Sequence, residues 1–343
     1  MSTTRIIRLA PGILREKRGD EVTQVALLDH ARPENIRVDF KVAFERHFAA
    51  NREMLLEQAE PGVLLAAVAP GAGLCARLWL RATDTLRAAT VGRHSRADFY
   101  LPGDSELSLR HLAVMVRLVE GRPRLRVVDL RSGGGLELED GTPVGGFTAD
   151  GPVFFAAARY NFFCFPTPAA PAWPDDVQAA WSSLPAREVE SDPEAREARL
   201  AAERQRRLAV AAEVLPVSRV TLMGRPLGFR ELSPSETEDA EGTLLIEGED
   251  RVEQITAGPS ALHRGLVIGR YSRCDNTVEL GEDCLRLSRV HALVVKEGEG
   301  VWVIDTASTN GCWIGDRAVS VSRLDDGTRV EMPGLGQLTW RHR

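Results

Sequence analysis

The chain has 343 residues, 43% of them hydrophobic and 27% charged, with a formal net charge of −6. That length suits two or three domains of roughly 100–200 residues each. The acidic balance argues against a protein that grips nucleic acid through phosphate contacts, and no apolar run approaches the ~20 residues of a membrane span. The opening Met1-Ser-Thr-Thr-Arg5 lacks the apolar core of a secretory signal, so the expected location is the cytoplasm.

Three lysines (Lys17, Lys41, Lys296) stand among 43 basic residues. Such a preference for arginine suits a GC-rich bacterial genome. The five cysteines (Cys75, Cys164, Cys274, Cys284, Cys312) are scattered, with no Cys-x-x-Cys pair. They read as reduced, half-buried small residues, not as disulfide or zinc ligands.

Residues 1–60 form an N-terminal extension. Within it Phe40, Ala43, Phe44, Phe48 and Leu55 fall near helical spacing, and Pro61-Gly62 closes the pattern. The plain reading is a helix packed on the domain that follows; a partner-binding helix is the sharper one. From Val63 to Pro166 short apolar runs alternate with turns such as Pro70-Gly71, Gly133-Gly134-Gly135 and Gly151-Pro152. Many short strands at this spacing predict an all-β sandwich over 61–166.

Residues 167–218 read as a linker. It starts Pro-rich, and Ser191-Asp192-Pro193-Glu194 then offers a helix start with a capping box. A charge-laced, mostly solvated helix is expected as far as Glu213. An acidic stretch over 231–253 carries Ser233, Ser235 and Thr237, and Thr237 is a candidate for phosphorylation and capture by the neighbouring pocket. The β pattern returns from Thr243, giving a second domain over 219–343.

Three short elements in the second β region carry the chemistry. Gly269-Arg270 ends an apolar run, Ser288-Arg289-Val290-His291 opens another, and Ser308-Thr309-Asn310-Gly311 follows Val301–Ile304. Each lies at a strand end, so a sandwich could gather them at one pole. Together they offer guanidinium, hydroxyl and amide groups and no evident activated nucleophile. Forked arginine donors plus hydroxyls suit a dianionic tetrahedral group such as a phosphorylated side chain. No nucleotide-binding loop, esterase elbow or kinase signature accompanies them, so no enzymatic activity and no cofactor are expected.

In this order and spacing the three elements resemble the forkhead-associated (FHA) family. A fainter copy spans 63–166, with Gly92-Arg93 and Ser108-Leu109-Arg110-His111. The resemblance implies a mainly β protein with two FHA-like sandwiches of about eleven strands each. It implies phosphothreonine recognition by the C-terminal copy. Arg270, Ser288 and Thr309 look like phosphate contacts, Arg289 a contact to phosphate or peptide backbone, Asn310 the main-chain clamp, and Arg286 a reader of the residue three past the phosphothreonine. Gly269, His291 and Gly311 look structural.

The first copy departs from the motif. Leu109 replaces the arginine, and aligning Asp129 with Asp305 sets Gly133 and Gly134 where Thr309 and Asn310 stand. It is expected to be structural or phosphate-independent, with a rewired site of Arg93, Ser108, Arg110 and His111 as the alternative. The implied function is an adaptor that docks on a phosphothreonine protein downstream of a Ser/Thr kinase. A phosphate-independent scaffold is the competing reading. Oligomeric state is left open.

Overall fold

The computed structural model describes residues 14–15, 22–25, 37–73, 75–168, 173–190, 217–223, 240–248, 252–276 and 285–343. The predicted charged helix over 191–213, Thr237 and most of the acidic stretch lie outside them.

The chain is mainly β and builds two sandwiches. Eleven strands between Gly62 and Thr167 form the body of the first. Its outer sheet runs, in hydrogen-bonded order, Cys75–Arg81, Gly62–Val68, Tyr160–Thr167, Val153–Ala157, Leu136–Leu138 and Pro143–Val144. Val22–Val25 and then Leu14–Arg15 extend it at the Cys75 edge. The inner sheet runs Phe99–Tyr100, Arg87–Gly92, Leu112–Val119, Arg122–Asp129, Gly146–Ala149, Val217–Leu222 and Ala186–Glu190. The expected start of the second domain at 219 therefore falls inside a strand of the first sandwich, because Val217–Leu222 pairs with Gly146–Ala149. Part of the expected linker is likewise a strand, Ala186–Glu190, laid parallel to Val217–Leu222.

Strand alternation accounts for this layering. Along Gly62–Val68 every residue is buried. Val63, Leu65 and Ala67 face the sandwich core with Leu78, Val114, Val127, Phe155 and Phe162. Leu64, Ala66 and Val68 face the other way, into a second apolar cluster. A strand so apolar on both sides needs a cover on each. Helix α1 (Phe40–Glu57) supplies the outer one. Asp39 caps it, accepting Lys41 N–H at 2.8 Å and Val42 N–H at 3.3 Å. Its Phe40, Phe44 and Phe48 pack with Phe154, Phe163, Phe165, Trp173 and Trp181, the last on the short helix α2 (Val177–Ser182). Phe48 and Trp173 stack at 5.8 Å. The N-terminal helix is thus a layer of the first sandwich.

The second sandwich has ten strands among the described residues. One sheet runs Val252–Ala257, Gly242–Glu247, Gly336–His342, Arg329–Met332, Cys312–Ile314 and Arg317–Val319. The other runs Leu266–Ile268, Ala292–Glu297, Gly300–Asp305 and Val321–Leu324. Leu244, Ile246, Ile268, Val294, Val303, Leu338 and Trp340 fill the space between, beside helix α3 (Pro259–Arg264).

The two sandwiches share a third apolar layer. Ala113, Met115, Val128 and Leu130 of the first pack on Val267, Leu293, Val295 and Ile304 of the second. Arginines of the first sandwich rim this layer. Arg117 and Arg126 both pair with Glu297 at 2.8 Å, and Arg131 pairs with Asp275 at 2.9 Å. Arg126 also donates to the carbonyls of His263 and Lys296. Burial raises the Glu297 carboxyl, and its neighbours Arg126, Arg117 and Arg124 outweigh burial and hold it below the ordinary range. No helix among the described residues is long and apolar enough to cross a membrane. The four described cysteines are free and buried; burial pushes Cys75 up to about 11 and Cys274 up to about 12, which keeps both as unreactive thiols.

Candidate functional site

Strand Leu266–Ile268 ends at Gly269, where the chain turns closely over the second motif. A Cβ on Gly269 would collide with the Arg289 carbonyl, so only glycine permits the approach. Arg270 N–H donates to Ser288 O at 3.1 Å, and Tyr271 N–H to Arg289 O at 3.0 Å. These bonds lay the Gly269-Arg270 turn beside Ser288-Arg289.

His291 ties the second motif to the third. It is fully buried, its Nδ1 accepts Ser288 N–H at 3.2 Å, and its Nε2 lies 3.0 Å from Gly311 O. An accepting Nδ1 places the ring proton on Nε2, which donates to that carbonyl. Burial lowers the ring's pKa, against the opposing pull of the Gly311 bond and Asp305, so the ring is neutral. His291 is a strut.

The third motif folds over the same strut. Asp305 Oδ1 accepts Ser308 N–H at 2.8 Å, and Ser308 Oγ accepts Gly311 N–H at 2.9 Å. Ala307 and Gly311 take positive φ, 56° and 79°. The result places Thr309 over Ser288: Thr309 N–H donates to Ser288 Oγ at 2.9 Å, and the two hydroxyl oxygens lie 3.4 Å apart. Asn310 Nδ2 donates to Arg286 O at 2.6 Å, closing the rim between the second and third motifs.

The structure therefore brings together Arg270, Arg286, Ser288, Arg289, Thr309 and Asn310, the residues expected from sequence. Arg270, Arg286, Arg289 and Thr309 are exposed, whereas Ser288 is buried beneath them. Among the described residues no carboxylate pairs with the Arg270 or Arg289 guanidinium. Two adjacent hydroxyls with exposed arginines on the neighbouring loops can hold a multiply charged oxyanion.

The first sandwich repeats most bonds of this frame. Gly92 lies against the Leu109 carbonyl as Gly269 lies against that of Arg289. Arg93 N–H donates to Ser108 O at 3.1 Å and His94 N–H to Leu109 O at 2.9 Å. His111 Nδ1 accepts Ser108 N–H at 3.0 Å, and its Nε2 faces Gly135 O at 3.4 Å. Ser132 N–H donates to Asp129, and Ser132 Oγ accepts Gly135 N–H at 3.2 Å. Asp129 and Asp305 are thus equivalent, as the sequence alignment requires.

What differs is the outward chemistry. Arg93 Nε donates to Leu107 O at 2.8 Å, and Ser108 Oγ donates to Ser132 O at 3.2 Å, so each bonds a neighbouring loop of the first sandwich. Gly133 sits at φ 88°, and a Cβ there would meet the Arg273 guanidinium of the second sandwich. Arg110, part of the alternative rewired site, is instead 6% exposed and turned into the interface. Its Nε donates to Thr306 O at 2.7 Å and its Nη2 to Ala307 O at 2.6 Å. Burial pulls its pKa down to about 10, against Asp305 and with Arg96, and it remains charged. The sequence reading missed Arg96, Arg117, Arg126 and Arg131 as interface residues. The signal was there: Leu112–Val116 and Ala292–Val295 are apolar without alternation, the mark of strands covered on both faces.

Residues 266–333 match the family model of the FHA domain. The second sandwich is therefore an FHA domain, and the first repeats its loop frame. Similar solved structures include FHA-1 of Mycobacterium tuberculosis Rv1747, 27% identical, with a TM-score of 0.24, covering 30% of this chain and 98% of that one. The FhaA FHA domain, solved with the intracellular domain of Rv3910, is 25% identical, with a TM-score of 0.23, covering 29% of this chain and 99% of that one. An FHA domain from a study of phosphothreonine-dependent interactions is 25% identical, with a TM-score of 0.24, covering 30% and 96%. No curated protein matches the chain.

Proposed function

We propose that this protein is a phosphothreonine-dependent adaptor. Its second sandwich docks on a threonine modified by a Ser/Thr kinase, and its first sandwich supports that site without reading phosphate itself. The observation that carries the reading is the meeting of three loop tips: Ser288 Oγ accepts Thr309 N–H at 2.9 Å beneath the exposed Arg270 and Arg289. A phosphothreonine supplies three acceptor oxygens and close to two negative charges, which this set complements. In this reading Arg270, Ser288 and Thr309 bind the phosphate, Arg289 and Asn310 hold peptide backbone, and Arg286 meets a flanking residue. The first sandwich lacks the equivalent donors because Leu109, Gly133 and Gly134 carry none.

The test is capture of phosphorylated and dephosphorylated peptide pools by the full chain. The wild type retains only the phosphorylated pool, and Arg270→Ala and Thr309→Val lose it while remaining folded. Equal capture of both pools would instead favour a phosphate-independent scaffold.

A further inference from the structure

The loop that carries Thr309 is held from two sides. Its amides are bound within the second sandwich: Thr306 N–H to His291 O at 3.0 Å, Ser308 N–H to Asp305, Thr309 N–H to Ser288 and Gly311 N–H to Ser308. Its carbonyls are bound by the first sandwich. Arg110 takes those of Thr306 and Ala307, and Arg96 Nη1 takes that of Thr309 at 2.6 Å with a longer bond to Ser308 at 3.4 Å. Four successive carbonyls thus end on two guanidiniums from another domain.

Ala307 holds a left-handed φ of 56° without being glycine, as its counterpart Arg131 does at 59°, so this turn belongs to the frame both sandwiches share. What the clamp adds is a fixed position for the carbonyls from Thr306 to Thr309. Ordering a loop at the moment of binding subtracts from affinity, and a loop ordered beforehand avoids that cost. The equivalent loop of the first sandwich is met differently: Arg273, the counterpart of Arg96, lies against Gly133, and the counterpart of Arg110 is Val290, an apolar interface residue.

We propose that Arg96 and Arg110 are positioning residues for phosphopeptide recognition, so that the binding unit spans both sandwiches. The first sandwich has exchanged ligand binding for holding its neighbour's phosphate loop. This deepens the function proposed above and rests on it.

The experiment uses the full chain and a degenerate phosphothreonine peptide pool, with its unphosphorylated counterpart, read by fluorescence anisotropy. Wild type binding only the phosphorylated pool, and its loss in Arg270→Ala, establishes the pocket. If that control fails, the functional reading fails first, and the clamp with it. With the control met, Arg96→Ala and Arg110→Ala each weaken binding by about 3- to 10-fold. They do so through faster dissociation, speed amide hydrogen exchange over 306–311, and leave the salt dependence of affinity unchanged. Arg110→Lys, which keeps a charged donor, recovers part of the loss. Arg96 is exposed, so its truncation leaves the core intact and keeps the test open if Arg110→Ala unfolds. Unchanged affinity in Arg96→Ala and in folded Arg110→Ala would overturn the proposal, and Arg96→Ala alone decides if Arg110→Ala unfolds. A shallower salt dependence in Arg96→Ala would also overturn it, making that residue a direct ligand contact.

Discussion

The two sandwiches hold one loop frame and carry different side chains on it. In both, a glycine passes under a carbonyl (Gly92, Gly269), a buried histidine braces serine against glycine (His111, His291), and an aspartate caps the third loop (Asp129, Asp305). The frame consists of main-chain bonds and buried groups with little room to change. Ligand chemistry sits on a few outward side chains, and those differ: Arg289, Thr309 and Asn310 in one, Leu109, Gly133 and Gly134 in the other. A motif scan for the frame alone would credit both domains with binding. The outward positions separate them.

The sharpest way to break this comparison is to remove one arginine from each turn. Arg270→Ala abolishes measurable phosphopeptide capture, a loss of about 3 kcal/mol or more if two charge-assisted bonds go. Arg93→Ala leaves capture unchanged in the same titration, since Arg93 Nε bonds Leu107 O within the first sandwich.

The interface comes next. Arg126→Ala leaves Glu297 buried with a reduced cationic environment, and we expect stability to fall by roughly 3 kcal/mol in urea unfolding. A much smaller effect would mean that the arginine rim contributes little to docking. The glycines of the frame give a matched pair. Gly92→Ala and Gly269→Ala each force a Cβ against a carbonyl, and each destabilises by about 1–3 kcal/mol. Only Gly269→Ala also weakens the phosphopeptide, since only it distorts a ligand-bearing loop.

The smallest effect is on pH. Burial lowers the pKa of both His111 and His291. The unfolded chain then binds more protons than the native state below the ordinary histidine value of 6.5, so stability is full above it and falls as the solution is acidified through the native pKa values. Unfolding midpoints at pH 7.5 and 5.5 check the sign, and His291→Gln reduces that dependence.

Much of this was legible in sequence. The turn residues and short apolar runs pointed to two sandwiches, and the ordered triple of motifs named three loops that hydrogen bonds now join. Alignment on Asp129 and Asp305 was enough to place Gly133 opposite Thr309. The domain boundary was not legible, because the strand Val217–Leu222 follows a charged stretch and pairs with Gly146–Ala149, far away in sequence. Nor was the use of Arg110. It sits inside a serine-histidine motif and looks like a ligand group, and only the packing of one sheet on another shows that it reaches Thr306 and Ala307. Long-range contacts of this kind leave no local pattern beyond strands that are apolar on both faces.

The central claim is that one frame binds and the other supports. Amide chemical-shift mapping of the full chain with a phosphothreonine peptide pool tests it most directly. The account predicts perturbations at Arg270, Ser288, Thr309 and Asn310, with Arg93, Ser108 and Gly133–Gly135 unmoved. Perturbations centred on the first sandwich's loops, or binding that leaves Arg270 and Thr309 untouched, would contradict it.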